Sequence, residues 1–189
     1  DGVPISPTSI TAALENSLRS LRTDYIDLYQ LHWPNRGSYM FRQNWTYDPS
    51  RQDTNSILDH MMETLQHLDN LRLSGKIRHI GLSNETAWGT SRWLTTARTH
   101  NLPQMVSIQN EYSLLCRLFD LDMAELSHHE NIGLLSYSPL AAGLLSGKYA
   151  DGTTPTGTRR SINADLGGRI NEHLWPALNG YLDIAERHE

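Results

Sequence analysis

Apolar and polar positions along the chain fall into runs of helical period alternating with short strand-like runs. Ile10, Ala13, Leu14, Leu18 and Leu21 recur at helical spacing, behind Ser6 as a cap and Pro7 at the first helical position. Thr23-Asp24 breaks that period, and Tyr25–Leu31 (YIDLYQL) reads as a strand. An irregular polar and aromatic segment follows from about Trp33 to Asn55. A second helix is predicted over Ser56–Leu73, with Ile57, Met61, Leu65 and Leu68 on one face and Gly75 as its stop. The pattern then predicts a strand over Ile77–Leu82, a helix over Ala87–His100 and a strand over Met105–Gln109. A helix over Leu118–His129 and a strand over Ile132–Tyr137 complete the alternation. A loop rich in Gly, Thr and Pro, Gly143 to Gly168, precedes a last helix beginning near Trp175-Pro176.

Strict alternation of strand, loop and helix implies a parallel sheet with helical crossovers. An open doubly wound sheet and part of a (β/α)8 barrel both fit. No G-x-G-x-x-G turn follows any strand, which weakens the first. The expected fold is therefore α/β, a partial (β/α)8 TIM barrel of four strands with their helices. In such a barrel the chemistry collects at the C-terminal strand ends. Here those ends deliver His32, then Ser83 and Asn84, then Gln109 and Asn110, then Tyr137 and Ser138. Amide side chains carry the paired donors and acceptors that match a carboxamide, and a Tyr ring offers a stacking surface. The set suits the nicotinamide end of a redox cofactor. It offers no metal site, because His32 has no ligand partner at the usual spacing.

Composition narrows the setting. The single cysteine, Cys116, excludes an internal disulfide framework and makes the cytoplasm the default compartment. No apolar run approaches the ~18 residues of a membrane span. With 16 Lys+Arg against 21 Asp+Glu, a formal net charge of −5, the chain has no basic footprint for nucleic acid. Its 189 residues suggest one domain, yet the sequence opens on Asp1 and stops at Glu189 inside a helical pattern. A piece of something longer is expected.

Four stretches carry a resemblance to a known family. Tyr25-Ile-Asp-Leu-Tyr-Gln-Leu-His32-Trp-Pro34 resembles the fourth-strand signature of the aldo-keto reductases. The stretches Gly75–Asn84 (GKIRHIGLSN), Ile108–Ser113 (IQNEYS) and Tyr137–Gly143 (YSPLAAG) through Gly147-Lys148-Tyr149 each resemble a later strand motif. Within the family the chain is similar to the bacterial Tas-like NADP(H)-dependent branch. The resemblance implies that residues 1–189 are the central part of one aldo-keto reductase barrel, about strands 4–7, truncated at both ends. It implies an NADP(H)-dependent oxidoreductase that reduces aldehyde or ketone carbonyls by hydride transfer, with a small-molecule carbonyl substrate and neither nucleic acid nor membrane as partner.

By the same resemblance, His32 matches the histidine that binds and orients the substrate carbonyl. Ser83, Asn84 and Gln109 match the side chains that hold the nicotinamide carboxamide, and Tyr137 the aromatic stacked on the ring. Ser138, Leu140, Gly143 and Lys148 match positions that wrap the pyrophosphate, and Arg159 a basic residue near the cofactor phosphates. Of the family's catalytic Asp, Tyr, Lys and His, only the His maps here. The proton-donating Tyr and its Lys belong to earlier strands, so general acid catalysis worth about 10²–10⁴-fold is expected from residues outside this chain. A non-catalytic cofactor-binding module of the potassium-channel β-subunit type is the alternative. An aldolase-type lyase is disfavoured because no strand ends in Lys.

Several other features have plainer readings. Gly143-Leu-Leu-Ser-Gly147-Lys148 is one residue short of a P-loop and lacks its Ser/Thr. His60 and His67 on the second helix, and His128-His129 near the end of the fourth, are expected on a solvated surface. Asp27 is expected in a structural salt bridge or barrel contact rather than as a carboxylate catalyst, and Cys116 to be inert. Trp33, Tyr39, Trp45 and Tyr112 fit equally an apolar substrate pocket or the packing of long loops.

Overall fold

The computed structural model describes residues 3–188. Ser6 caps the first helix, α1 (Pro7–Leu21), in a full capping box: its Oγ accepts from the Ser9 amide, and its own amide donates to the Ser9 hydroxyl. Ile10, Leu14 and Leu18 are buried, one per turn, whereas Ala13 and Leu21 face solvent. Strand β1 (Ile26–Leu31) follows. Helix α2 (Thr54–Leu73) begins two residues earlier than the apolar stripe predicts, because Asp53 caps it through the Asn55 amide. Gly75, at φ 79°, ends the connection into β2 (Ile77–Ser83), in a backbone region open to glycine. Helix α3 (Ala87–Thr99) and strand β3 (Met105–Glu111) come next.

The predicted fourth helix is two pieces, a turn at Leu118–Asp120 and α4 (Met123–Glu130). Asp122, at φ −144°, leaves the helical region and restarts the helix. Strand β4 (Gly133–Tyr137) follows, then tight turns at Ala141–Ser146 and Ala150–Gly152, a short α5 (Arg159–Ile162) and α6 (Leu174–Arg187).

The four strands form one sheet in the order β1-β2-β3-β4. Leu31 pairs with Leu82 and Leu82 with Ile108, both in parallel register. Sequential order with parallel pairing is the arrangement of a βα-repeat barrel, and a partial barrel accounts for it. A register shift between Ile80 and Gly81 coincides with a crowded crossing. A Cβ on Gly81 would stand 2.3 Å from Ser107 Oγ, and Gln30 Nε2 donates there to the Leu82 carbonyl at 3.2 Å.

The chain divides into two compact units, one built from the residues up to Asn110 with Asp122–Leu135, the other from Glu111–Leu121 with Ser136 onward. In the first, α2 packs on α3 and β2, and Met61, Leu65 and Leu68 are buried. The second has its own core of Ala141, Leu144, Tyr149, Leu166, Leu174 and Leu178. Among the described residues no helix is long and apolar enough to cross a membrane.

One expectation changes here and another holds. His60 and His67 are half-buried rather than solvated. Seven residues is two helical turns, so both lie beside the buried stripe of α2. His67 Nε2 meets Thr11 Oγ1 at 2.9 Å, and His60 Nε2 meets Asn35 Nδ2 at 3.1 Å. Asp27 does form an ion pair, with Arg78 Nη1 at 2.6 Å, and the guanidinium lies over the Tyr25 ring.

Candidate functional site

In the first unit the ends of three strands are fastened to one another. Asn84 follows β2 in the left-handed region, at φ 56°, which Asn tolerates better than most side chains. That turn buries its amide. Asn84 Nδ2 donates to the His32 carbonyl at 3.0 Å and lies 3.1 Å from Ser83 Oγ. Ser83 Oγ donates to the Gln109 carbonyl at 2.9 Å, and the Asn84 backbone N–H donates to the same oxygen at 3.0 Å. His32, Ser83, Asn84 and Gln109 are thus brought together, with the His32 residue exposed at the rim. The Gln109 side chain is half-buried and its amide has no hydrogen-bond partner among the described residues. Beside that set, the Gln109 side chain has the paired donor and acceptor that a carboxamide would match.

Joined to that rim is a polar knot that the sequence pattern did not single out. Arg36 and Glu85 form a bidentate ion pair, Nη1 to Oε1 at 2.7 Å and Nη2 to Oε2 at 2.5 Å, with side chains only 5% and 2% exposed. Glu85 also accepts from Trp93 Nε1 at 3.1 Å and from the Thr86 amide at 2.9 Å. Its backbone carbonyl accepts from Asn110 Nδ2 at 3.1 Å. Gly89 of α3 leaves the room: a Cβ there would stand 2.2 Å from Arg36 Nη2. A pair separated by 49 residues leaves no local signal. The one available cue was a charge immediately after Ser83-Asn84 and another four residues after His32.

Two cavities adjoin this knot. One of about 470 Å³ is lined by Arg36, Glu85, Trp93, Ile57, Met61 and His60 among others. A second, of about 380 Å³, is lined by Tyr39, Tyr47, Trp88, Thr86 and Asp122 among others. Burial, reinforced by the nearby Asp122 and Glu85 charges, pushes the Tyr39 hydroxyl up to about 12. Of the four aromatics named from the sequence, Tyr39 lines a cavity and Trp33 stacks on Phe41 at 5.3 Å. Trp45 is 92% exposed, and Tyr112 packs on Phe119 in the second unit.

The second unit holds the remaining sequence-predicted residues. Tyr137 closes β4, half-buried. The chain then turns through positive φ at Ser138 (52°), Ala141 (48°), Ala142 (59°) and Gly143 (96°). Such turns present backbone N–H groups in the manner of anion-binding nests. Lys148 folds over Gly143 so closely that a Cβ there would lie 2.6 Å from its Cε, and Leu140 projects outward at 56% exposure. Gly143 and Lys148 therefore meet. Arg159 is exposed on α5. The cation bonded to Ser138 is instead Arg169, through Nη2 at 3.3 Å, itself paired with the buried Glu111 at 2.8 Å. Among the described residues no three His, Cys, Asp or Glu side chains are grouped to hold a metal ion.

A parallel sheet with sequential strand order, its polar side chains gathered at the C-terminal ends, defines the class as an α/β protein of the barrel type. The family model for the aldo/keto reductase family matches residues 2–189, and the chain belongs to that family. It is 44% identical over 183 residues to protein Tas of Escherichia coli, covering 95% of this chain and 51% of that protein. An aldo-keto reductase of Babesia bovis is 40% identical over 165 residues, covering 84% of this chain and 58% of the other. Among solved structures, a glycerol dehydrogenase of Gluconobacter oxydans superposes with a TM-score of 0.66 at 26% identity, over 97% of this chain and 48% of that one. The chain spans about half the length of the curated relatives it matches.

Proposed function

We propose that the protein containing this chain reduces aldehyde or ketone carbonyls with hydride drawn from NADPH, in the cytoplasm. One observation carries the reading: three strand ends place His32, Ser83, Asn84 and Gln109 in one hydrogen-bonded set. A nicotinamide cofactor bound there supplies the hydride.

This chain's own residues bind and orient. Gln109 meets the carboxamide with matched donor and acceptor, and Ser83 and Asn84 hold the strand ends that frame it. In the second unit, Tyr137 would offer its aromatic face as a stacking surface for a nicotinamide ring. Gly143 and Lys148, with Ser138 and Leu140, wrap the pyrophosphate, where backbone N–H groups and a cation suit anionic oxygens. Arg159 would add positive charge for the phosphates, whereas Arg169 is already neutralised by Glu111 and steadies Ser138. His32 at the rim hydrogen-bonds the substrate carbonyl oxygen and aims its carbon at the ring. Its imidazole orients, while the proton for the new alkoxide comes from a residue outside this chain. Turnover accordingly belongs to the full-length protein and not to these 189 residues alone.

The test is a fluorescence titration of the full-length protein with NADPH and, in parallel, NADH, followed by an aldehyde and ketone panel read through loss of NADPH absorbance. Saturable binding with NADPH preferred, and carbonyl-dependent oxidation, are expected. An intact, folded protein with no saturable signal refutes the cofactor assignment. Tight binding without turnover refutes the catalytic half and leaves a cofactor-binding regulatory module.

A further inference from the structure

Arg36 and Glu85 have no part in the binding roles assigned above, and the side chain of each is more than nine-tenths buried. A buried ion pair is a weak source of stability, because the attraction must first offset the desolvation of both charges. This pair joins two particular loops. Arg36 ends the short segment His32-Trp33-Pro34-Asn35-Arg36 that leaves β1 with the candidate carbonyl-binding imidazole. Glu85 directly follows Asn84, whose side chain holds the His32 carbonyl.

The carboxylate has little freedom. Oε1 takes Arg36 Nη1 and Trp93 Nε1, and Oε2 takes Arg36 Nη2 and the Thr86 amide. Arg36 is held from its other sides: Gln52 Nε2 donates to its carbonyl at 3.0 Å, Nη2 also reaches Thr86 Oγ1 at 3.1 Å, and its guanidinium stands 5.2 Å from the Trp88 ring centroid. Asn110, completely buried, draws the end of β3 into the same knot through the Glu85 carbonyl. A planar fork on a carboxylate fixes both distance and orientation, which an ammonium cannot do.

We propose that the Arg36–Glu85 pair is a positioning device that locks the His32 loop to the Ser83-Asn84 turn, so that the carbonyl-orienting imidazole and the carboxamide cradle keep one spacing. The proposal rests on the carbonyl-reductase reading above and adds to it two positioning residues, Arg36 and Glu85. The pair acts through His32 and Asn84, so its loss falls on hydride transfer more than on cofactor affinity, which the phosphate contacts supply independently.

The experiment compares the full-length protein with its Arg36→Lys and Glu85→Gln variants. Lys cannot make the fork, and Gln must turn an N–H₂ toward one of the donors that Glu85 now accepts from. Expected in both are a kcat lower by about 10–100-fold, since misplacing reacting groups by about 1 Å costs on that order, an NADPH Kd changed less than about threefold, and mixed transfer from stereospecifically deuterated NADPH. A lowered melting temperature with kcat and facial selectivity intact would show the pair to be only structural and overturn the proposal. Wild-type protein that binds no NADPH sinks the parent reading and this proposal with it, a result distinct from an active wild type with unaffected variants. Hydrogen exchange gives a readout independent of activity: the amides of 32–36 and of 83–86 should lose protection together in Glu85→Gln, and loss in one loop alone contradicts the lock.

Discussion

His60 illustrates how one residue can change meaning between sequence and structure. On a helical wheel it sits at the border of the polar face. In the fold it is half-buried against the β1 loop, with Nε2 placed to accept from Asn35 Nδ2 when the ring is neutral. Burial pulls its pKa below the ordinary 6.5, against a weaker opposing pull from Glu63. The unfolded chain therefore takes up a proton at a pH where the folded protein still refuses it. His60 thus contributes full stability above about pH 6.5, and that contribution is lost as pH falls through the folded value. Urea midpoints across pH 8 to 5 should decline for the wild type and decline less for His60→Gln. Parallel curves would remove His60 as the cause.

The strand-end residues His32, Ser83, Asn84 and Gln109 were legible because the strand period places them. Arg36, Glu85 and Arg169 were not. Their partners lie 49 and 58 residues away along the chain, and only the closed fold brings those charges together.

At the scale of elements, local chemistry settles most boundaries. Ser6-Pro7 marks the start of α1, and the structure adds the reciprocal Ser9 contact. Substituting Ser6 by Ala leaves the Ser9 amide without that acceptor and should cost about 1 kcal/mol, read as a lower urea midpoint at unchanged slope. No change would mean that water replaces the cap at no loss. Capping explains one of the boundaries that the apolar stripe misplaced, and a backbone break without a side-chain cap the other. Asp53 starts α2 before the first apolar residue of the stripe, and Asp122 divides what hydrophobic period alone reads as one helix. Period reports which face is buried. It carries little information about where a cap interrupts the turn.

At the scale of the molecule, β1 and β4 stand at the two ends of the sheet order, so each has strand pairing on one side only among the described residues. Val106 and Leu135 add exposed apolar surface at 42% and 41%. Unpaired strand edges are templates for further pairing, and nothing in β4 (GLLSY) carries a charge to discourage it. Prepared as the 189-residue chain, the protein should sediment as concentration-dependent oligomers, and Leu135→Lys should shift the distribution toward monomer. A monomer at all concentrations would show that the edges are blunted in another way.

The missing Cβ of Gly89 has a consequence beyond packing. Because that gap admits the Arg36 guanidinium onto Glu85, positions 36, 85 and 89 are energetically coupled: removing either charge strands the other, and a side chain at 89 drives a methyl group into the pair. A change at position 89 is therefore felt by both charges at once, and its effect should depend on which side chains stand at 36 and 85. A site-by-site scan would score as three independent constraints what is one shared contact.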